Sequence, residues 1–259
     1  MKEVKRYLEK REGKYSFYFA DLKSGYTYGL NENDKMVAAG CIKIPIAMAA
    51  MKEVECNNIS LEQLVSITEA DKVTGYFGII HEFGEKQYSI KELIVAMLMQ
   101  SDNTAACKII NIIGMNKINE IVRAMGLTST VINKYPSNVK ANDLDENITT
   151  CYDLCKCLTL LNDGTVLRKE HSSFIIDIIK KNQFTTGLSF YWPKNVQVQT
   201  ANKSGSLDEI ENDALILNVE KGDFIFAVMS KDLPSNVYGV TTLGTVGKMT
   251  FDMIDKDWN

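Results

Sequence analysis

The chain has 259 residues, 45% of them hydrophobic and 24% charged, with a formal net charge of −4. That length and apolar content suffice for one large core or two closely packed subdomains. The mildly acidic balance argues against a general nucleic-acid binder, which carries a basic excess or patch, and no run of eighteen apolar residues exists to predict a transmembrane helix.

Met1–Gly13 is charged throughout, with Lys5-Arg6 and Lys10-Arg11 interleaved with glutamates. It reads as an amphipathic surface helix and lacks the apolar stretch of a secretory signal. The protein is therefore expected to be cytoplasmic if Met1 is the native start, and extracytoplasmic if a leader once preceded it. Tyr15–Phe19 is an aromatic-rich strand, Leu22–Gly25 a turn and Tyr26–Leu30 a second strand, together a hairpin. From Cys41 to about Glu55 the pattern is helical.

Residues 60–200 read mostly as helix. Ile90–Gln100 is apolar nearly all round, as a buried helix should be, and Ser89 with Glu92 makes a capping box at its start. Further helices are expected at Asn103–Ile113, Lys117–Met125, Thr149–Leu161 and His171–Lys181. Strands return at Val196–Ser204, then at Ala214–Val219 and Phe224–Ser230 around the turn Glu220–Asp223, and about Val237–Ile254 is helical again. Strands at both ends thus enclose a helical middle. The expected class is α/β (α+β type): one antiparallel sheet built from both chain ends, flanked by helices, with a mainly helical inserted lobe. We expect a single unit over 1–259, its sheet lobe at about 1–40 and 196–259 and its helical lobe at about 41–195.

Six cysteines (Cys41, Cys56, Cys107, Cys151, Cys155 and Cys157) are scattered in apolar surroundings without a disulfide framework. Cys151 and Cys155 share a helix face and Cys157 points elsewhere, so buried thiols are favoured over a metal site. With His81 and His171 as the two histidines, no metal or other cofactor is expected.

Three short motifs carry the chemistry. They are Gly40-Cys41-Ile42-Lys43, Ser101-Asp102-Asn103 directly after the apolar helix, and Lys203-Ser204-Gly205 at the end of the alternating strand. Alone, each has an ordinary explanation; Ser101 or Asp102, for example, could simply cap the helix that follows. In this order they match the S-x-x-K, S-D-N and K-T-G set of class A β-lactamases and penicillin-binding proteins, except that the serine is missing. The segments VAAGCIKIPIAMAA, DKVTGYFGII, SDNTAACKIINIIG, ENITTCYDLCKCL and NKSGSLDEIENDALIL extend the match. Over about residues 14–255 the chain resembles the class A β-lactamases, within the wider penicillin-recognising serine hydrolases.

The resemblance implies roles. Position 40 would hold the nucleophile, Lys43 would be the base and Ser101 would relay protons toward the leaving nitrogen. Asn103 would bind a ligand's side-chain amide. Lys203 and Ser204, followed by Gly205, would bind its carboxylate. The backbone N–H groups of Gly40 and Ser206 would form the oxyanion hole. The implied partner is a small β-lactam-like, peptide or ester ligand with a carboxylate.

Two departures qualify this. Gly40 has no side chain to be acylated, and a single change, natural or engineered, separates it from an ordinary family motif. The loop that holds the family's deacylating glutamate corresponds to about Asn133–Leu144, which contains no glutamate. Asp143, Asp145 and Glu146 lie near its end, and the role is not carried onto them. The chain as it stands is therefore expected to be catalytically inactive but ligand-binding, and a restored serine to acylate and then hydrolyse slowly. The alternatives are a naturally non-catalytic binding or sensor protein, and a cysteine hydrolase using Cys41. The last is disfavoured because one residue along a helix turns the side chain by about 100°, away from Lys43.

Overall fold

The computed structural model describes residues 1–75, 77–137, 145–197 and 200–257. Its elements in chain order are α1 (Lys2–Leu8), β1 (Lys14–Asp21), β2 (Thr27–Leu30), β3 (Met36–Val37), a 3₁₀ turn (Ala39–Ile42) and α2 (Lys43–Glu55). There follow β4 (Leu64–Ile67), β5 (Lys86–Ser89), α3 (Ile90–Met99), α4 (Asn103–Ile113), α5 (Met115–Ala124) and β6 (Ile148–Thr149). The chain continues through α6 (Cys151–Asp163), α7 (Lys169–Ile179), α8 (Lys194–Gln197), β7 (Thr200–Leu207), β8 (Ile210–Val219), β9 (Gly222–Lys231) and α9 (Asn236–Asp257).

One five-stranded sheet has the order β2-β1-β9-β8-β7, antiparallel throughout. It joins the two ends of the chain through β1 and β9, where Phe17 lies opposite Val228. The period of two along a strand sorts side chains to opposite faces. Ala214, Ile216, Ile225, Ala227 and Met229 face a core shared with α2 to α7. Leu215, Leu217, Phe224, Phe226 and Val228 face a second core with Val4, Leu8, Leu243 and Val246 of α1 and α9. Because both faces are covered, β8 and β9 are buried along most of their length.

The class and the sheet built from both ends agree with the sequence reading, as does the capping box of α3, where the Glu92 amide donates to Ser89 Oγ and the Ser89 amide to Glu92 Oε2. Several boundaries need correction. The N-terminal helix stops at Leu8, because Lys10–Gly13 turns the chain, with Gly13 at φ +103°. The helix expected from Cys41 starts at Lys43, behind the 3₁₀ turn. Pro45 fits its first turn, where the missing N–H has no intrahelical partner to lose. The stretch 60–200 is interrupted by two small ladders, β3 with β6 and β4 with β5. The strand expected at Val196–Ser204 is instead a helical turn at Lys194–Gln197 and a strand from Thr200 to Leu207. Cys56 is exposed, against the expectation of apolar surroundings, while Cys151, Cys155 and Cys157 are all buried in α6. Among the described residues no helix is long and apolar enough to cross a membrane.

Candidate active site

Three elements converge where the sheet meets the helical layer. The 3₁₀ turn and the start of α2 present Gly40 and Lys43, the α3–α4 junction presents Ser101 and Asn103, and β7 presents Lys203 to Ser206. Gly40, Lys43, Ser101, Asn103, Ser204, Gly205 and Ser206 line one cleft. Lys203 lies wholly buried behind it. The motif residues that lie far apart in sequence are thus brought together.

Lys43 Nζ donates to the Ser101 carbonyl oxygen (2.7 Å), to Ser101 Oγ (3.1 Å) and to Asn103 Oδ1 (2.6 Å). These three acceptors match the three protons of an ammonium group. Burial, with Lys203 as the next cause, pushes Lys43 down to about 7. Loss of one proton therefore turns its lone pair toward the Ser101 hydroxyl near neutral pH. Lys203 Nζ donates to Ser101 Oγ (3.2 Å) and to the Ser204 carbonyl (2.8 Å). Burial brings it down to about 8, opposed by Cys41 and Asp213. Ser101 Oγ thus bridges two lysines, an arrangement anticipated only in part from the motif.

Backbone strain gathers here. Ser101 has φ +54° and Ala39, just before Gly40, has φ +46°, a region that costs a residue with a Cβ on the order of 1–3 kcal/mol. Asp102 holds the junction. Its Oδ2 accepts from the amides of Ile79 (2.7 Å) and Ile80 (2.9 Å), and its Oδ1 from Ala105 (2.8 Å) at the start of α4. Gly78 passes so close that a Cβ would sit 2.5 Å from Asp102 Oδ2, and its φ of +97° favours glycine independently. Of the two capping candidates, Asp102 is the N-cap.

The nucleophile position is closed as well as bare. A Cβ at Gly40 would lie 2.8 Å from the Ser204 carbonyl oxygen, 3.2 Å from Gly205 Cα and 3.2 Å from Ser101 Oγ. A Cβ at Gly205 would lie 2.5 Å from the Gly40 nitrogen. Two glycines let β7 run in backbone contact with the turn. Cys41 points to the other side, its Sγ donating to the Lys203 carbonyl (3.1 Å), and burial pushes the thiol up to about 12. A thiol so placed is a packed group, not a nucleophile.

Other cleft residues were given no role in the sequence reading. Glu146, which lines the cleft, pairs with Lys134 Nζ at 3.0 Å. Asn147 Oδ1 accepts from the amides of Asn133 and Lys134, so the two ends of the intervening loop are tied together. Asp143, near the end of that loop, lies outside the described residues. Phe77 and Phe184 meet edge to face at 5.3 Å at the cleft wall. Beside Ser206, Glu211 Oε1 accepts from Ser206 Oγ (2.7 Å) and Asn236 Nδ2 (2.7 Å). Burial raises this carboxyl above its usual range, and those two hydrogen bonds oppose the shift. Glu211 and Asn236 carry no local signal: the pairing of β7 with β8 and the start of α9 bring them together.

Around position 40, which has no side chain, the geometry gathers groups of the kinds acyl transfer uses. It offers a lysine near neutrality, a hydroxyl between two cations, and a glycine-lined strand edge. Several known proteins resemble the chain. A β-lactamase of Citrobacter koseri is 28% identical over 158 residues, which are 60% of this chain and 53% of that protein, so the match spans about half that relative's length. The TLA-3 extended-spectrum β-lactamase superposes with a TM-score of 0.91 at 18% identity, over 98% of each chain. A variant of PBP-A, solved as an acyl-enzyme complex with penicillin G, superposes with a TM-score of 0.88 at 23% identity, over 98% of this chain and 96% of that one. At those identities the superpositions show a shared fold. The model of the β-lactamase enzyme family matches residues 1–254, and with that match the chain belongs to the β-lactamase enzyme family.

Proposed function

We propose that the cleft binds a β-lactam-like or related amide or ester ligand, and that the chain does not turn it over through an ester at position 40. The observation that carries this is the state of Gly40. It has no nucleophilic atom, and the Ser204 carbonyl and Gly205 crowd the position of a Cβ, while Lys43, Ser101, Asn103, Lys203 and Ser204 keep their side chains near it. Asn103 would meet a ligand amide, Ser204 a ligand carboxylate with the buried Lys203 charge behind it, and the N–H groups of Gly40 and Ser206 the carbonyl oxygen. Binding of penicillin G by the PBP-A variant supports the ligand class.

Calorimetric titration of the full chain with benzylpenicillin tests the reading. Saturable binding is expected, weakened roughly tenfold in Asn103→Ala, the effect of losing one good hydrogen bond of ~1.4 kcal/mol. No heat of binding for penicillins, cephalosporins or simple esters would overturn it.

Glu211 tunes which ligands fit. A carboxylate beside Ser206 repels an anionic group bound at the strand edge. Glu211→Gln keeps an oxygen for Ser206 and Asn236 but removes the charge. Carboxylate-bearing ligands are expected to bind this variant roughly fivefold tighter, corresponding to ~1 kcal/mol for two charges separated by the water of the cleft. Equal affinity in the two proteins would show that the ligand's carboxylate lies elsewhere.

A further inference from the structure

Ser101 is the hydroxyl nearest the missing side chain. Its Oγ lies 3.2 Å from the point a Cβ of residue 40 would occupy, lines the same cleft, and stands 3.1 Å from Lys43 Nζ and 3.2 Å from Lys203 Nζ. The left-handed backbone at Ser101 and the Asp102 hydrogen bonds hold it there. Cys41, Cys107, Ser206 and His171 are engaged or remote. Cys41 points to Lys203 O and burial holds it as a thiol. Cys107 Sγ donates to the Pro136 carbonyl, and burial pushes that thiol up to about 11. Ser206 Oγ donates to Glu211, and His171 pairs with Glu55 at the far end of α2.

We propose that Ser101 is the acyl acceptor of this chain, taking the nucleophile's role in place of a relay. The proposal rests on the cleft being a ligand site as described above. In the step, neutral Lys43 Nζ takes the proton of Ser101 Oγ, and Oγ forms a bond to the ligand's carbonyl carbon. The carbonyl π pair moves to oxygen, where the N–H groups of Gly40 and Ser206 receive it. The intermediate collapses, the C–N bond breaks, and the leaving nitrogen takes its electron pair and the proton from Lys43. With a β-lactam the product is one adduct, an ester on Ser101 that keeps the ring-opened nitrogen as an amine, with no oxidant or other reactant needed. With no glutamate in the loop Asn133–Leu144 to activate a water, the ester is not rapidly hydrolysed, so the reaction is stoichiometric.

The test is intact-mass analysis and peptide mapping of the full chain after incubation with benzylpenicillin. One adduct is expected, on the peptide containing Ser101. Its rate of formation should rise with pH through about 7 as Lys43 loses its proton, then level off. Ser101→Ala should lose the adduct yet still bind benzylpenicillin by calorimetry, which separates loss of chemistry from misfolding. Ser101→Cys should be labelled as a thioester. Lys43→Met should slow labelling on the order of hundredfold, the usual effect of removing a general base. An adduct on another residue, one that persists in Ser101→Ala, or saturable binding with no adduct would overturn the assignment of Ser101 while leaving the cleft reading standing. Absence of binding by the unaltered chain would overturn both.

Discussion

Gly40→Ser is expected to be acylated by penicillins at the introduced hydroxyl, to release the product slowly, and to be less stable than the unaltered chain by ~1–3 kcal/mol, the usual cost of overpacking. Gain and cost share one cause. The new Cβ meets the Ser204 carbonyl at 2.8 Å, and that carbonyl belongs to β7, which is paired to β8 from Thr200 to Leu207. The strand has to shift by a few tenths of an ångström to admit the side chain. Once admitted, the hydroxyl is three residues before Lys43, across one turn, and beside Ser101. Peptide mapping should place the adduct at position 40, and thermal melting should show a drop of several degrees. Slow release follows from the absence of a glutamate in Asn133–Leu144. A variant that stays folded, melts no lower, and forms no adduct at position 40 would contradict both the steric and the chemical argument.

Asp102→Ala is expected to lose ~3 kcal/mol or more of stability, a fall in Tm of roughly 10 °C for a chain of this size. Asp102 is wholly buried and accepts from the amides of Ile79, Ile80 and Ala105. Removing the carboxylate leaves three backbone donors without their acceptor, each costing ~1–3 kcal/mol if water does not replace it. Alanine also uncaps α4. The same change frees the segment around Gly78 and loosens Ser101, so labelling by benzylpenicillin should fall along with stability. Denaturant unfolding gives the first quantity and intact mass the second. Asp102→Asn, which keeps one carbonyl acceptor, should lie between the two proteins. A melting temperature within a degree or two of the parent would show that Asp102 is not the tie that its hydrogen bonds suggest.

The sequence was most legible where chemistry and local pattern coincide. Lys43, Ser101, Asn103 and Lys203 are separated by as much as 160 positions, yet each stands in a motif, and their side chains meet. The Ser89–Glu92 capping box and the aromatic strand Tyr15–Phe19 are local signals that survive in the fold. The start of β8 was illegible for a physical reason. Glu211, Asn212 and Asp213 are three polar residues in a row and are poor strand formers. They are in the strand because each has a distant partner: Ser206 and Asn236 for Glu211, Val37 O for Asn212, and the Leu188 amide with Asn202 for Asp213. Tertiary hydrogen bonds override propensity there.

The same holds for the parts of the cleft that motifs did not mark. The pairs Lys134–Glu146 and Phe77–Phe184 exist through folding alone. A glycine at position 40 announces a missing hydroxyl, but nothing in the sequence says that the Ser204 carbonyl and Gly205 crowd the position of its Cβ. Nor do the ladders β3–β6 and β4–β5 show in a helical pattern, since strands of two or four residues are defined by their pairing rather than by periodicity.

Turnover measures most directly whether position 40 is without chemistry. The unaltered chain is incubated with an excess of benzylpenicillin, and the intact lactam remaining in solution is followed by absorbance. The prediction is a loss no larger than one equivalent of protein, matched by the adduct on Ser101. Continued hydrolysis over many equivalents by the purified chain, abolished in Lys43→Met, would contradict it and show that the family's full cycle runs without a side chain at position 40.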